Sequence, residues 1–227
     1  MSLAEVCKLE VATIFAHMMY ESDSFTLAAD SSCSGGDGGS DCDFIRESAV
    51  AEAEYPSVDG QQYYGRGAMM LRWSDGFGKF SDIAYDGGLN DRDILLASPD
   101  DVSTDGFLAF ASAMWMYMTP VSPRPSLHEV MSGYYQASTF DVNPGNIKDN
   151  SFGTTTNVIT NNEECGSGTI SSGDQARADN FETMVTLLGL DSQSNLHCED
   201  MANFDSNSSS YKPTYFWTKN LTEDNEC

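Results

Sequence analysis

Apolar residues recur at helical spacing in several stretches of the chain, and long polar segments separate them. Val6, Leu9, Ile14, Phe15 and Met18 share one face of a helix predicted over residues 4 to 20. Glu21 follows at the C-terminal end of that helix, where the macrodipole disfavours a carboxylate charge. Burial of Glu21 there would suit a proton donor. Residues 30 to 41 are almost all Ser, Gly and Asp around Cys33 and read as a loop. A second helical stretch is predicted over Phe44 to Ala53. Gly60 to Gly67 reads as a turn-rich link, and Tyr85 to Asp93, with Gly87 and Gly88, as a further loop. The strongest helical pattern covers Thr104 to Met118, which is apolar on nearly all sides and is expected inside the domain. Pro120 closes it. Ser126 opens a short helix, with Glu129 three residues on completing a capping box. The last long helix is predicted over Gly173 to Leu188, stopped by Gly189. The pattern predicts a mainly helical chain with long loops and little sheet, and no internal repeat or clear linker divides it.

Charge narrows the partners. The 227 residues hold 35 Asp and Glu against 11 Lys and Arg, a formal net charge of -24. Such a surface repels nucleic acid and anionic membranes and draws polycations. Soluble, salt-tolerant surface chemistry is the plain reading of the acids, which are spread along the chain. No apolar run is long enough to span a membrane, and a monomer is expected. Six cysteines in an acidic, Gly- and Ser-rich chain favour an oxidising compartment, so the protein is expected to be secreted. The start, Met1-Ser2-Leu3-Ala4-Glu5, is not a signal peptide, which implies a leader removed before it. Six cysteines allow fifteen pairings, and sequence alone leaves them open. Sequons stand at Asn207 and Asn220.

The chemistry that composition permits is limited. No G-x-S-x-G elbow is present. The histidines, His17, His128 and His197, form no H-x-x-x-H pair, and no C-x-x-C occurs, so neither a metal nor another cofactor is expected. His17, inside the first helix, reads as structural. A glycosidase needs one protonated and one ionised carboxyl, ~6.5–9.5 Å apart when the reaction inverts the anomeric centre. With 35 acids, spacing alone does not select the pair.

The segment Tyr63-Tyr64-Gly65-Arg66-Gly67 changes those odds. YYGRG resembles the core motif of the family 19 (plant-type) chitinases. WMYMTPVSPRPSLHEVM at 115–131 resembles that family's "WFWMTP…KPSxHDV", GTTTNVITNNEECG at 153–166 its "GVTTNIINGGLECG", and LGLDSQSNLHC at 188–198 its "LGV…NLDC". The blocks stand in family order. The resemblance implies a single bilobal, mainly α-helical, lysozyme-like α+β domain over residues 1 to 227, with an open substrate cleft. It also implies an endo-acting, inverting hydrolase of β-1,4-linked N-acetylglucosamine polymers, with chitin, a related glycan or the cationic polymer chitosan as partner.

Residue by residue, the resemblance makes Glu21 the general acid, with Tyr20 in place of the family's histidine. It makes Glu47, five residues after Cys42, the general base. Asn157 is the cleft asparagine, and Arg177 a candidate to hold a catalytic carboxylate. Arg66 is expected to help keep the base ionised. Tyr55, Tyr63 and Tyr64 are expected against the sugars, with Met70 and Trp73 lining the same cleft. The resemblance also pairs Cys7 with Cys42 and Cys165 with Cys198, which leaves Cys33 for Cys227.

The motif continues as AMMLRWSDGFG where family members read "PIQLSHNYNYG". Met70 replaces a glutamine, Arg72 the serine that helps hold the attacking water, Trp73 a histidine and Gly76 an asparagine. Arg72 donates only and cannot copy the serine; pairing with Glu47 is its expected use. Two readings follow: an active hydrolase, or an impaired relative that binds chitin or another glycan.

Overall fold

The computed structural model describes residues 2–34, 42–45, 53–85, 91–137, 149–160 and 163–204. Glu47, Cys227, both sequons and all but the ends of the predicted helix over Phe44 to Ala53 lie outside them. Among the described residues the fold is mainly helical. Strand-like pairing is limited to the isolated bridges Ala29–Arg66, Arg66–Leu71 and Val121–Arg124. The chain divides into two compact units, one of Met1–Tyr20 with Tyr117–Cys227, the other of Glu21–Met116.

The first unit begins with α1 (Leu3–Glu21), whose last residue opens the second unit. Leu9, Ile14 and Met18 are buried as the spacing predicts, whereas Phe15 is exposed. Buried Glu10 holds His128 Nδ1 at 2.5 Å and accepts the Tyr117 hydroxyl at 3.4 Å. Burial, then the Glu10 charge, push the Tyr117 phenol well above its ordinary range. The short helix Leu127–Met131 carries the predicted capping box, Ser126 with Glu129. A further helix, Phe152–Thr160, is buried along almost its whole length although Thr154, Thr155 and Thr156 run through it. It packs against both Leu127–Met131 and the last helix, Ser172–Leu187. Phe152 stacks on Phe181 at 4.2 Å. The helix Ser172–Leu187 is capped by Ser171, and Gly189 at φ 68° turns the chain away after it.

The second unit is built on Tyr55, Tyr63, Leu71, Phe77, Phe80, Leu95, Leu96, Val102 and Leu108. It contains the helix Ser74–Ala84, the short helices Arg92–Ala97 and Asp101–Thr104, and most of the helix Gly106–Met118. Ser74–Ala84 packs against Arg92–Ala97, so the predicted loop from Tyr85 to Asp93 ends where a helix has begun. The helix Gly106–Met118 corrects an expectation. It is not enclosed: Phe107 is 75% exposed, and Phe110 and Met114 are exposed too. These three fall on one stripe, and Phe110 is partly covered by the Phe25 ring at 6.0 Å. Apolar character licenses burial but does not enforce it, because polar surface alone never covers a domain.

Disulfides correct a second expectation. Cys33 pairs with Cys42, nine residues away, at a Cα–Cα distance of 5.7 Å. The expected Cys7–Cys42 and Cys33–Cys227 pairs therefore both fail. The turn centred on Asp30, which takes the Cys33 and Ser34 amides, folds the chain back on itself and brings the near cysteine within bonding range. Cys7 is also disulfide-bonded. Cys165–Cys198 stands as expected and packs with Met201.

Candidate active site

In the first unit the focus is Arg177, 2% exposed, in the second turn of the helix Ser172–Leu187. Its Nε donates to Glu164 Oε2 at 3.0 Å and its Nη2 to Glu164 Oε1 at 3.2 Å, a two-point fork onto a carboxylate. The guanidinium also lies 4.0 Å over the Tyr20 ring. Gly173 leaves room for this cluster: a Cβ there would sit within 2.8 Å of both the Glu164 carboxylate and the Tyr20 hydroxyl. Arg177 thus forks onto Glu164, a carboxylate that the sequence reading did not single out and not one of the two it named as catalytic. The signal was available, because Glu164 immediately precedes Cys165 in the GTTTNVITNNEECG block.

Asn157 is fully buried. Its amide donates to the Met201 carbonyl at 3.3 Å, and its Oδ1 has no partner among the described residues. Nearby, buried Asp174 accepts the Cys198 amide at 3.1 Å and stands 3.4 Å from His197 Nδ1. Burial is the main reason that its carboxyl is raised above the usual range.

In the second unit Glu21, half-buried, leads into Ser22, Asp23, Ser24 and Phe25. Asp23, Ser24 and Phe25 take φ of 47°, 56° and 64°. Left-handed backbone costs a non-glycine residue roughly 1–2 kcal/mol. Ser22 offsets part of that: its Oγ accepts the Phe25 amide at 2.9 Å, and its carbonyl takes the Thr26 and Leu27 amides. The backbone directly after the candidate acid is therefore held in a specific, strained turn.

The YYGRG segment is more structural than the sequence suggests. Tyr63 is fully buried; its hydroxyl donates to the Leu96 carbonyl at 3.0 Å and accepts the Val58 amide at 2.8 Å. Tyr64 is buried beside Cys33–Cys42, with the Arg66 guanidinium 3.7 Å from its ring centroid. Tyr55 is buried too, its hydroxyl on Asp82 at 3.2 Å. Met70 is also in the core, at φ 49°. These four were expected against sugars. All four are buried in the unit, where Tyr55 and Tyr63 bond their hydroxyls internally. Trp73 is half-buried and edge-on to Phe44 at 5.1 Å.

Arg66 is likewise occupied. It is buried, donates to Asp100 through Nε at 2.8 Å, and through Nη1 to the carbonyls of Gln62 and Tyr64. It braces the motif's own backbone. Arg72 lies 3.7 Å from Asp30, and its buried Nε–H has no partner among the described residues; its expected partner Glu47 lies outside them. The Arg72 charge is one of the weaker reasons that Asp30 is lowered; hydrogen bonding from Ser32 is the largest. Among the described residues no group of His, Cys, Asp and Glu is arranged to hold a metal.

The profile of glycoside hydrolase family 19, Chitinase class I, matches residues 3–198. The chain belongs to that family. Among its relatives, endochitinase A2 of Pisum sativum is 35% identical over 169 residues, covering 72% of this chain and 49% of that protein. An endochitinase of Carica papaya is 35% identical over 153 residues, covering 66% and 58%. The chain thus spans about half the length of the pea relative. In structure it is similar to the family 19, class IV chitinase from Zea mays, with a TM-score of 0.60 and 25% identity over 84% of this chain and 74% of that one. Chitinase C from Streptomyces griseus HUT6037, at 22% identity and a TM-score of 0.56, shares the fold. Family membership accounts for the order of the matched blocks and for the mainly helical build around few strand pairings. Among the described residues Cys33–Cys42 and Cys165–Cys198 are in place, and no helix there is long and apolar enough to cross a membrane.

Proposed function

We propose that this protein is an endo-acting, inverting glycoside hydrolase that cleaves β-1,4-linked N-acetylglucosamine polymers, and that it acts outside the cell as a single domain and a monomer. One observation carries the reading. The family profile spans residues 3–198, and within it a carboxylate, Glu21, ends α1 half-buried, locked from behind by the left-handed turn at 23–25. Glu21 is the general acid, protonating the bridging oxygen. Glu47 is the general base, taking a proton from the water that attacks the opposite face of the sugar. Arg177 and Asn157 take the supporting roles that the family resemblance implies, and Trp73 is an aromatic contact for a sugar.

The test is release of reducing ends from chitohexaose by wild type, Glu21→Gln and Glu47→Gln. Each substitution is expected to silence hydrolysis while the fold persists. Undiminished cleavage by Glu21→Gln would remove the acid from the scheme.

Arg72 favours a second reading. A cation whose buried Nε–H has no partner among the described residues stands where family members carry the serine that helps hold the attacking water. On that reading the protein binds chitin or another glycan and cuts it poorly. Retention of chitohexaose by wild type without release of reducing ends would support it.

A further inference from the structure

His17 sits one turn before Glu21 on α1 and is completely buried. Its ring stacks on Phe152 at 4.9 Å with the planes 12° apart. Two polar groups meet its nitrogens. Thr155 Oγ1 lies 2.9 Å from Nε2, and Arg177 Nη1 lies 3.3 Å from Nδ1. The Thr155 hydroxyl already donates its one proton to the Phe152 carbonyl at 2.6 Å. Thr155 therefore accepts at Nε2, so that nitrogen carries the hydrogen, and Nδ1 is left with a lone pair. Arg177 has no acceptor capacity and donates into that lone pair. The result is a directed chain: Arg177 to His17, His17 to Thr155, Thr155 to the Phe152 carbonyl. It runs in one sense only and requires a neutral imidazole.

The chain meets the guanidinium from behind. Nη1 is tied to His17, while Nε and Nη2 fork onto Glu164. Three nitrogens fixed at three points leave a planar group no freedom to rotate about its long axis. The same guanidinium packs on Tyr20, which is peptide-bonded to Glu21. Burial, and then the charge of Arg177, push the His17 imidazole well below its usual range, in keeping with this geometry. The groups facing His17 are Arg177 from the last helix and Thr155 and Phe152 from the helix before it. Glu164 lies on the far side of Arg177.

We propose that His17 is a positioning residue for catalysis: as a neutral Nε2–H imidazole it sets the orientation of Arg177, and through it the carboxylate support of the active site. This rests on the hydrolase reading above, in which Arg177 serves that support. His17→Phe keeps the ring and the stacking on Phe152 but removes the acceptor. His17→Gln restores both functions, an amide oxygen for Arg177 and an amide N–H for Thr155.

The experiment has two arms on the intact chain. In the first, ¹⁵N-edited NMR follows the Arg177 guanidinium. Distinct, slowly exchanging Nη–H signals are expected in wild type and His17→Gln and a single averaged signal in His17→Phe; distinct signals persisting in His17→Phe would overturn the proposal. In the second, turnover of chitohexaose is measured. In His17→Phe kcat is expected to fall ~10²-fold, with KM nearly unchanged, as for a lost positioning contact, and His17→Gln is expected to recover most of it. Unchanged kcat in His17→Phe would also overturn it. A wild type that turns over no chitohexaose refutes the hydrolase reading, and the guanidinium signals still decide whether His17 orients Arg177. If His17→Phe does not fold, the wild-type ring decides: neutral with Nε2–H at about pH 6 supports the proposal, and an imidazolium or Nδ1–H form overturns it.

Discussion

Removing Glu164 offers a direct measure of how tightly the arginine cluster is bound into the fold. Arg177 is 2% exposed and makes a two-point contact with a carboxylate that is itself 17% exposed. Deleting one member of a buried pair leaves the other charge desolvated without its partner, at a cost of ~3–5 kcal/mol. Glu164 keeps some contact with water, and His17 and Tyr20 still touch Arg177 in its absence, so the lower end applies. Glu164→Ala should therefore lose about 3 kcal/mol. For a chain of this size each kcal/mol moves the melting temperature by ~2–4 °C, so the midpoint should fall by roughly 6–12 °C. Glu164→Gln, which retains one acceptor oxygen without the charge, should fall between wild type and Glu164→Ala. The double variant Glu164→Ala with Arg177→Met should recover part of the loss, because no buried cation remains. Urea titrations of the four proteins, with equal slopes, measure these differences. A Glu164→Ala midpoint within about 0.5 kcal/mol of wild type, the range of an ordinary surface substitution, would refute the claim that this pair is structurally buried.

Three further outcomes follow from the same geometry. His17 is neutral in the fold and its pKa is lowered there, so the unfolded chain binds the extra proton first. Its contribution is full above about pH 6.5 and is lost as pH falls toward the folded value; His17→Gln should flatten the pH-stability profile below that point, and an unchanged profile would contradict the burial. Ser126→Ala breaks a capping box in which both reciprocal bonds are made, and thermal melts should show a loss of about 1 kcal/mol. Non-reducing peptide mapping should join Cys33 to Cys42 and Cys165 to Cys198; the second closes the longer loop, so its removal should cost about 3.8 kcal/mol against about 2.7 for the first, and a Cys7–Cys42 peptide would contradict the fold described here.

The helices that the sequence shows clearly are those whose stop signals agree with their periodicity. α1 ends at Glu21, the helix from Ser172 ends before Gly189, and Ser126 with Glu129 marks its short helix to the residue. Tertiary burial overrode local preference elsewhere. Thr154, Thr155 and Thr156 disfavour a helix on propensity, yet they are buried in one, where Thr155 and Thr160 satisfy their hydroxyls on carbonyls three and four residues back. Gly76 and Gly78 concealed the helix Ser74–Ala84, although Gly78 is needed because the Tyr55 ring packs where its Cβ would be. At the site, Arg177 was legible only through the resemblance, as the arginine of the last long helix. Its partner Glu164 stands in a matched block beside Cys165, yet as one acid among 35 it carries no spacing signal of its own. Tyr55 and Tyr63 show the converse limit. A ring's identity is written in the sequence, but whether its hydroxyl is satisfied inside the unit or left for a ligand depends on Leu96, Val58 and Asp82, which only the fold brings close.

The central claim is that Glu21 donates a proton to the leaving oxygen while water, activated by Glu47, attacks from the other side. Proton NMR of chitohexaose cleavage, read before the products mutarotate, tests it most directly. The account predicts that each newly formed reducing end appears first as the α-anomer, and that Glu21→Gln forms almost none. New ends appearing first as the β-anomer, or forming at the wild-type rate in Glu21→Gln, would contradict it.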